Sequence, residues 1–100
     1  MFVVLLRFAE NRSHAGRLMQ AHRDWLDRGF EDGVFLVAGG IVPGLGGGIL
    51  AHGLSLPELR DRVNADPFVA QNVVSAEILE IAPSKADARL AFILDAAASP

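Results

Sequence analysis

The sequence predicts an α+β fold with the element order β-α-β-β-α-β followed by a terminal helix. Three observations carry this. Residues 2–8 and 73–82 hold apolar side chains on both alternating sets, as buried strands do. The stretches 13–30 and 55–64 instead repeat their apolar residues at helical spacing. Between them, the glycine-rich middle from Val34 to Leu54 reads as two short strands joined by a broken segment.

In chain order, Phe2/Val4/Leu6/Phe8 and Val3/Leu5/Arg7 form the two faces of the first strand, with Arg7 the isolated charge. Glu10, Asn11 and Arg12 make a polar turn, and Ser13 is the expected N-cap of a helix that ends around Gly29. On this helix Ala15, Leu18, Met19, His22, Trp25, Leu26, Gly29 and Phe30 form one stripe, while Arg17, Gln20, Arg23, Asp24, Asp27 and Arg28 take the water-facing side. His22 is thereby the polar residue set into an apolar face.

Val34–Ala38 and Gly46–Leu54 are the expected second and third strands, joined through Gly39–Gly44. Ser55 caps a second helix with Leu56, Leu59 and Val63 inward, Pro57 in its first turn, and Glu58 to Arg62 as an i,i+4 ion pair of favourable order. Pro67 disfavours helical geometry at Asp66, which places Asp66 at a boundary where its side chain can turn inward. Val73–Ala82 is the fourth strand and Pro83 ends it. Ser84 with Asp87 then resembles a capping pair ahead of a terminal helix striped by Ala86, Leu90, Ile93, Leu94 and Ala97.

This order is that of a ferredoxin-like βαββαβ sandwich, with a C-terminal helix added: a four-stranded antiparallel sheet with both main helices on one face. Because the strands are apolar on both sides, the uncovered face is expected to be buried against a second copy, and a two-fold homodimer does this most simply. The whole of 1–100 is read as a single domain, core 2–82, with an extension at 84–98.

Composition narrows the function classes. With 100 residues, 51% hydrophobic and 21% charged, the chain has material for a globular core. A net charge of -3 and no basic run argue against nucleic acid as a partner and favour a small molecule or a protein. The chain contains no cysteine, so it has neither a disulfide frame nor a thiol nucleophile, and a cytoplasmic location is the default. The start has an apolar run of only five residues before Arg7, unlike a signal peptide. Residues 34–57 carry no Asp, Glu, Lys or Arg, yet Pro43 and the glycines break them into turns and strands, so no membrane span is expected.

The segment Gly44-Leu45-Gly46-Gly47-Gly48 lacks the Gly-Lys-Ser/Thr ending of a phosphate loop and leads into a strand, not a helix N-terminus. His14 and His22 are two turns apart, and no histidine has metal-ligand spacing, so no metal site and no cofactor are expected. No Gly-x-Ser-x-Gly elbow supports acyl transfer. His22 has two readings: a neutral core histidine with its nitrogens satisfied, or a proton-transfer group held in a pocket beneath the helix. The second needs a partner that fixes its tautomer. In the predicted fold the helices lie side by side, which would let an inward-turned Asp66 serve.

Four segments also carry a resemblance. Val3-Val4-Leu5-Leu6-Arg7-Phe8, His22-Arg23-Asp24-Trp25-Leu26, Phe35-Leu36-Val37-Ala38-Gly39-Gly40 and Ala65-Asp66-Pro67-Phe68, in this order and spacing, resemble the YCII-related (YciI-like) family of dimeric α+β barrel proteins over about residues 2–82. The resemblance implies a ferredoxin-like dimer with a His-Asp active site falling on His22 and Asp66. One departure is Gly40-Ile41, where relatives often have Pro-Leu, and it bears on the pocket's rim.

Around this pair, Arg7 is a candidate for a substrate carboxylate or enolate, or else for a salt bridge to Glu77 or Glu80 within the sheet. Trp25 and Phe68 are candidate pocket walls or simple core, and Gly39 is a candidate substrate contact at the strand end. The expected activity is general acid–base chemistry, such as proton abstraction, isomerisation or elimination on a small cyclic or carbonyl metabolite, of lyase or isomerase type. A cofactor-free monooxygenase and a non-catalytic ligand-binding or accessory module are the alternatives.

Overall fold

Apolar strand faces need cover, and the arrangement of the chain follows from that need. The structure, a computed structural model, describes residues 1–94. Strands β1 (Phe2–Phe8), β2 (Phe35–Ile41), β3 (Gly46–Ala51) and β4 (Val74–Glu80) form one antiparallel sheet in the order β2-β3-β1-β4. With helices α1 (Ala15–Glu31) and α2 (Leu56–Asn64) as the crossovers, this is the ferredoxin-like fold expected from the element order. A single further turn, α3 (Pro67–Ala70), follows α2.

The even set of β1, Phe2, Val4 and Leu6, is buried with Ile49 and Ala51 of β3 and Phe35 of β2. Trp25 of α1, Leu59 and Val63 of α2 and Phe68 of α3 complete this layer. Each such side chain stabilises the fold by roughly 1.5–3 kcal/mol relative to exposure, which is why the helices settle on this face. On the opposite face the register places Val3 and Leu5 beside Leu50 and Leu79, with Val37 beyond; Val37 is 56% exposed and Leu79 46%. Among the described residues no helix is long and apolar enough to cross a membrane.

Several local expectations are corrected. Ser13 does not cap α1: the chain enters through a 3-10 turn at Arg12–His14, and no side chain caps the first turn. β2 extends past Ala38 to Ile41, because Gly39, Gly40 and Ile41 pair with Gly48, Gly47 and Gly46 of β3. β3 stops at Ala51, since Gly53 at φ 75° turns the chain toward Ser55. Glu58 closes a capping box with Ser55 instead of pairing with Arg62, and Arg62 reaches Asp32 of the α1 exit at 2.8 Å. At the C-terminus Asp87, not Ser84, caps a 3-10 turn at Ala88–Leu90. Of the terminal helix expected over 84–98, the chain is irregular with this turn as far as Leu90 and helical at 92–94, where Ile93 is buried, and the part beyond residue 94 lies outside the described residues.

Candidate active site

Pro67 determines how the site begins. It occupies the first position of α3 and leaves Asp66 extended (φ -60°, ψ 124°), in N-cap geometry. The Asp66 carboxylate, fully buried, turns back so that Oδ1 accepts the Phe68 backbone N–H at 3.0 Å. The same oxygen lies 2.8 Å from Nδ1 of His22 in mid-α1. With the carboxylate oxygen as acceptor, Nδ1 is the ring nitrogen that donates, and Nε2 takes no part in the pair. Asp66 Oδ2 is buried and has no hydrogen-bond partner among the described residues.

Two aromatic rings set the plane of the imidazole. Phe68 stacks on His22 with centroids 4.1 Å apart and planes 4° from parallel. Trp25 lies 5.8 Å away at 26°, and is itself anchored by its indole N–H to the Arg62 carbonyl at 2.9 Å. Behind Trp25 the Phe35 ring packs edge-on at 5.2 Å, pressed against Gly29 so closely that a Cβ there would fall 2.0 Å from it. With these neighbours and its bond to Asp66, the ring is held at both Nδ1 and its faces.

His22 opens on a cleft of about 450 Å³ between α1 and the sheet. The helix side is Met19, His22, Arg23 and Leu26; the sheet side is Leu6, Ala38, Ile49 and the paired glycines 39, 40, 47 and 48. Here the cleft is open because Gly40 and Gly47, which share the face of Leu6, have no side chains, while Gly39 and Gly48 contribute backbone only. A Cβ at Gly40 would meet nothing nearer than the Gly46 carbonyl at 3.8 Å. A larger hollow of about 560 Å³ lies beyond Trp25, walled by charged residues of both helices including Arg28, Glu58, Asp61 and Arg62, and includes neither His22 nor Asp66. Among the described residues no three histidine, aspartate or glutamate side chains converge as an ion site.

Of the residues singled out from the sequence, His22, Asp66, Trp25 and Phe68 come together, and Gly39 lines the adjoining cleft. Arg7 does not join them. As an odd-numbered position of β1 it points to the other face of the sheet, where it lies 3.7 Å from Glu77, the salt bridge that was its second reading. Arg23, which the helical period assigns to the water-facing side, is exposed and also borders the cleft. Its signal in the sequence was adjacency to His22, which puts it about 100° round the helix, on the stripe's border.

Together these features define a ferredoxin-like α+β protein with a buried aspartate oriented on a cleft-facing histidine. No protein-family description and no curated protein matches the sequence. Among solved structures the chain is similar to the 5-chloro-2-hydroxyhydroquinone dehydrochlorinase from Burkholderia phenoliruptrix AC1100, determined in complex with 2,5-dihydroxybenzoquinone. The TM-score is 0.64 at 17% identity, covering 81% of this chain and 93% of that one. At this identity the likeness is one of fold.

Proposed function

We propose that this chain is a small-molecule acid–base enzyme of the YciI-like type, in which His22 Nε2 takes a proton from a substrate carbon or hydroxyl in the glycine-floored cleft. The observation that carries the reading is the 2.8 Å contact between Nδ1 and a fully buried carboxylate, made by a histidine that also lines the cleft. Asp66 fixes the tautomer and stabilises the imidazolium formed when the proton arrives. The electron pair released from the C–H bond passes into an adjacent carbonyl as an enolate. His22 then returns the proton at another atom, giving isomerisation, or a leaving anion departs, giving elimination. Such a base supplies about 10²–10⁴ in rate. A small cyclic or carbonyl compound suits the cleft's size and apolar walls. The similar solved structure is of a dehydrochlorinase holding a one-ring quinone, which supports this reaction class.

The exposed Val37 and Leu79, with Val3, Leu5 and Leu50, support a homodimer through the outer face of the sheet, and we propose a cytoplasmic setting. Light scattering is expected to give the mass of two 10.7 kDa chains, and a monomer at all concentrations overturns this part of the reading. The chemistry is tested by incubating a panel of small enolisable lactones and cyclic ketones with the protein in D2O and following hydrogen exchange by NMR. Wild type is expected to accelerate exchange in at least one compound and His22→Gln to abolish it. Exchange that survives His22→Gln refutes the role of His22.

A further inference from the structure

Among the described residues Arg23 is the one Lys, Arg, Asp or Glu side chain on the wall of the 450 Å³ cleft, which it shares with the His22 imidazole. Among the described residues no carboxylate comes within 4.0 Å of its guanidinium, although the other ion pairs engage Arg7, Arg62 and Arg89. Asp24, its chain neighbour, is taken by Gln20 at 2.9 Å. The remaining walls are aliphatic side chains and glycine backbone, whose amides and carbonyls lie in the β2-β3 ladder. In a chain of net charge -3, this cleft thus presents an unpaired cation and an imidazole, facing an apolar floor.

We infer that the cleft is built for a small, largely apolar organic anion about one ring in size, whose carboxylate, enolate or phenolate oxygens are received by Arg23 while the ring lies over glycines 39, 40, 47 and 48. A guanidinium is suited to this because its planar fork gives two parallel N–H donors to a pair of oxygens and keeps its charge at every physiological pH. The inference rests on reading the cleft as the active site and adds the substrate's charge, placing the developing negative oxygen of the proposed proton transfer between guanidinium and imidazolium.

The probe is benzoate, with benzamide as its uncharged counterpart of the same shape, each titrated by NMR into wild type, Arg23→Gln and Arg23→Lys. Benzoate at millimolar concentration is expected to shift the amides of the four cleft glycines. Benzamide is expected to bind about tenfold more weakly, and Arg23→Gln to remove that preference, as loss of a hydrogen bond to a charged group implies. Arg23→Lys is expected to keep part of it. Equal binding of the two probes by wild type, or a preference unchanged in Arg23→Gln, overturns the inference. So does the absence of any shift. None of these outcomes touches the acid–base reading, which falls separately if His22→Gln leaves deuterium exchange intact. Because Arg23 is exposed and engages none of the described carboxylates, its variants should keep the wild-type amide dispersion away from the cleft.

Discussion

Replacing Asp66 separates its structural work from its work on His22, because alanine and asparagine remove different things. Alanine strips the acceptor from two donors, the buried Phe68 N–H and His22 Nδ1–H. Each donor left unpaired costs about 1–3 kcal/mol, and the Phe68 bond is also the N-cap of α3, which is counted once. Against this, alanine removes a fully buried carboxylate whose Oδ2 has no partner among the described residues, relieving part of its desolvation. The net expectation is a loss of about 2 kcal/mol, or a fall in Tm of roughly 8–16 °C for a domain of this size. Asparagine keeps Oδ1 and both bonds, and its amide nitrogen exchanges one unpartnered polar atom for another. Its stability should lie within about 1 kcal/mol of wild type. It nevertheless removes the charge that favours the imidazolium, so proton transfer should fall in both variants.

Urea denaturation provides the stability order, and 15N shifts of the His22 ring report which nitrogen bears the proton. Wild type is expected with the proton on Nδ1, and Asp66→Ala with a mixture of tautomers. An Asp66→Ala protein as stable as wild type, or a wild-type His22 protonated mainly on Nε2, refutes this account of the pair.

Three further predictions concern the scaffold and the cleft. Gly29→Ala gains about 1 kcal/mol of helix propensity but drives a methyl to 2.0 Å from the Phe35 ring; overpacking of up to about 3 kcal/mol should win, giving a net loss near 2 kcal/mol in urea denaturation. Gly40→Val puts a strand-favouring side chain into open space above the cleft, so the urea midpoint should hold or rise while benzoate-induced amide shifts disappear; unchanged shifts would place binding elsewhere. Hydrogen bonds from the Ser55 backbone N–H, and secondarily from its hydroxyl, hold the Glu58 carboxyl below the usual glutamate range. A depressed folded-state value means that this stabilisation is complete above the ordinary glutamate pKa, about 4.3, and is lost as pH falls through the lower folded value. Glu58→Gln should therefore flatten the acid-side fall of stability measured from pH 6 downward, whereas Ser55→Ala should cost about 1 kcal/mol at neutral pH.

What was legible in the sequence was whatever local chemistry decides. The apolar period of α1 placed His22 inward, and Pro67 placed Asp66 at a boundary, so the two halves of the site were readable 44 residues apart. The helix order on the sheet then brought them together. Where tertiary pairing decides, the reading failed. Gly39 and Gly40 look like loop residues because glycine is a poor strand former, yet their backbone groups complete the ladder opposite Gly48 and Gly47. Glu58 had two partners in reach, and the capping box, made within one turn, prevailed over the exposed pair with Arg62. For Arg7 the alternation left two readings, and the register with β4 gives the salt bridge to Glu77. Arg23 is exposed as its helical position suggests, yet a helix border position can also edge the cleft, which the period alone does not reveal.

The tripeptide Asp66-Pro67-Phe68 explains why the site is compact in sequence on one side and spread over a long helix on the other. Pro67 fixes the backbone that lets Asp66 cap α3, the cap bond to Phe68 N–H aims Oδ1, and the Phe68 ring beyond it supplies the plane on which His22 lies. Orientation of the carboxylate and of the imidazole is therefore set by one turn of backbone, with little freedom left in either side chain. The helix α1 contributes what a turn cannot: a rigid rod that presents His22 and Arg23 to the same space above a floor of glycines. In the proposed reaction the substrate would enter between His22, Arg23 and the sheet, through the space that the glycines of β2 and β3 leave open.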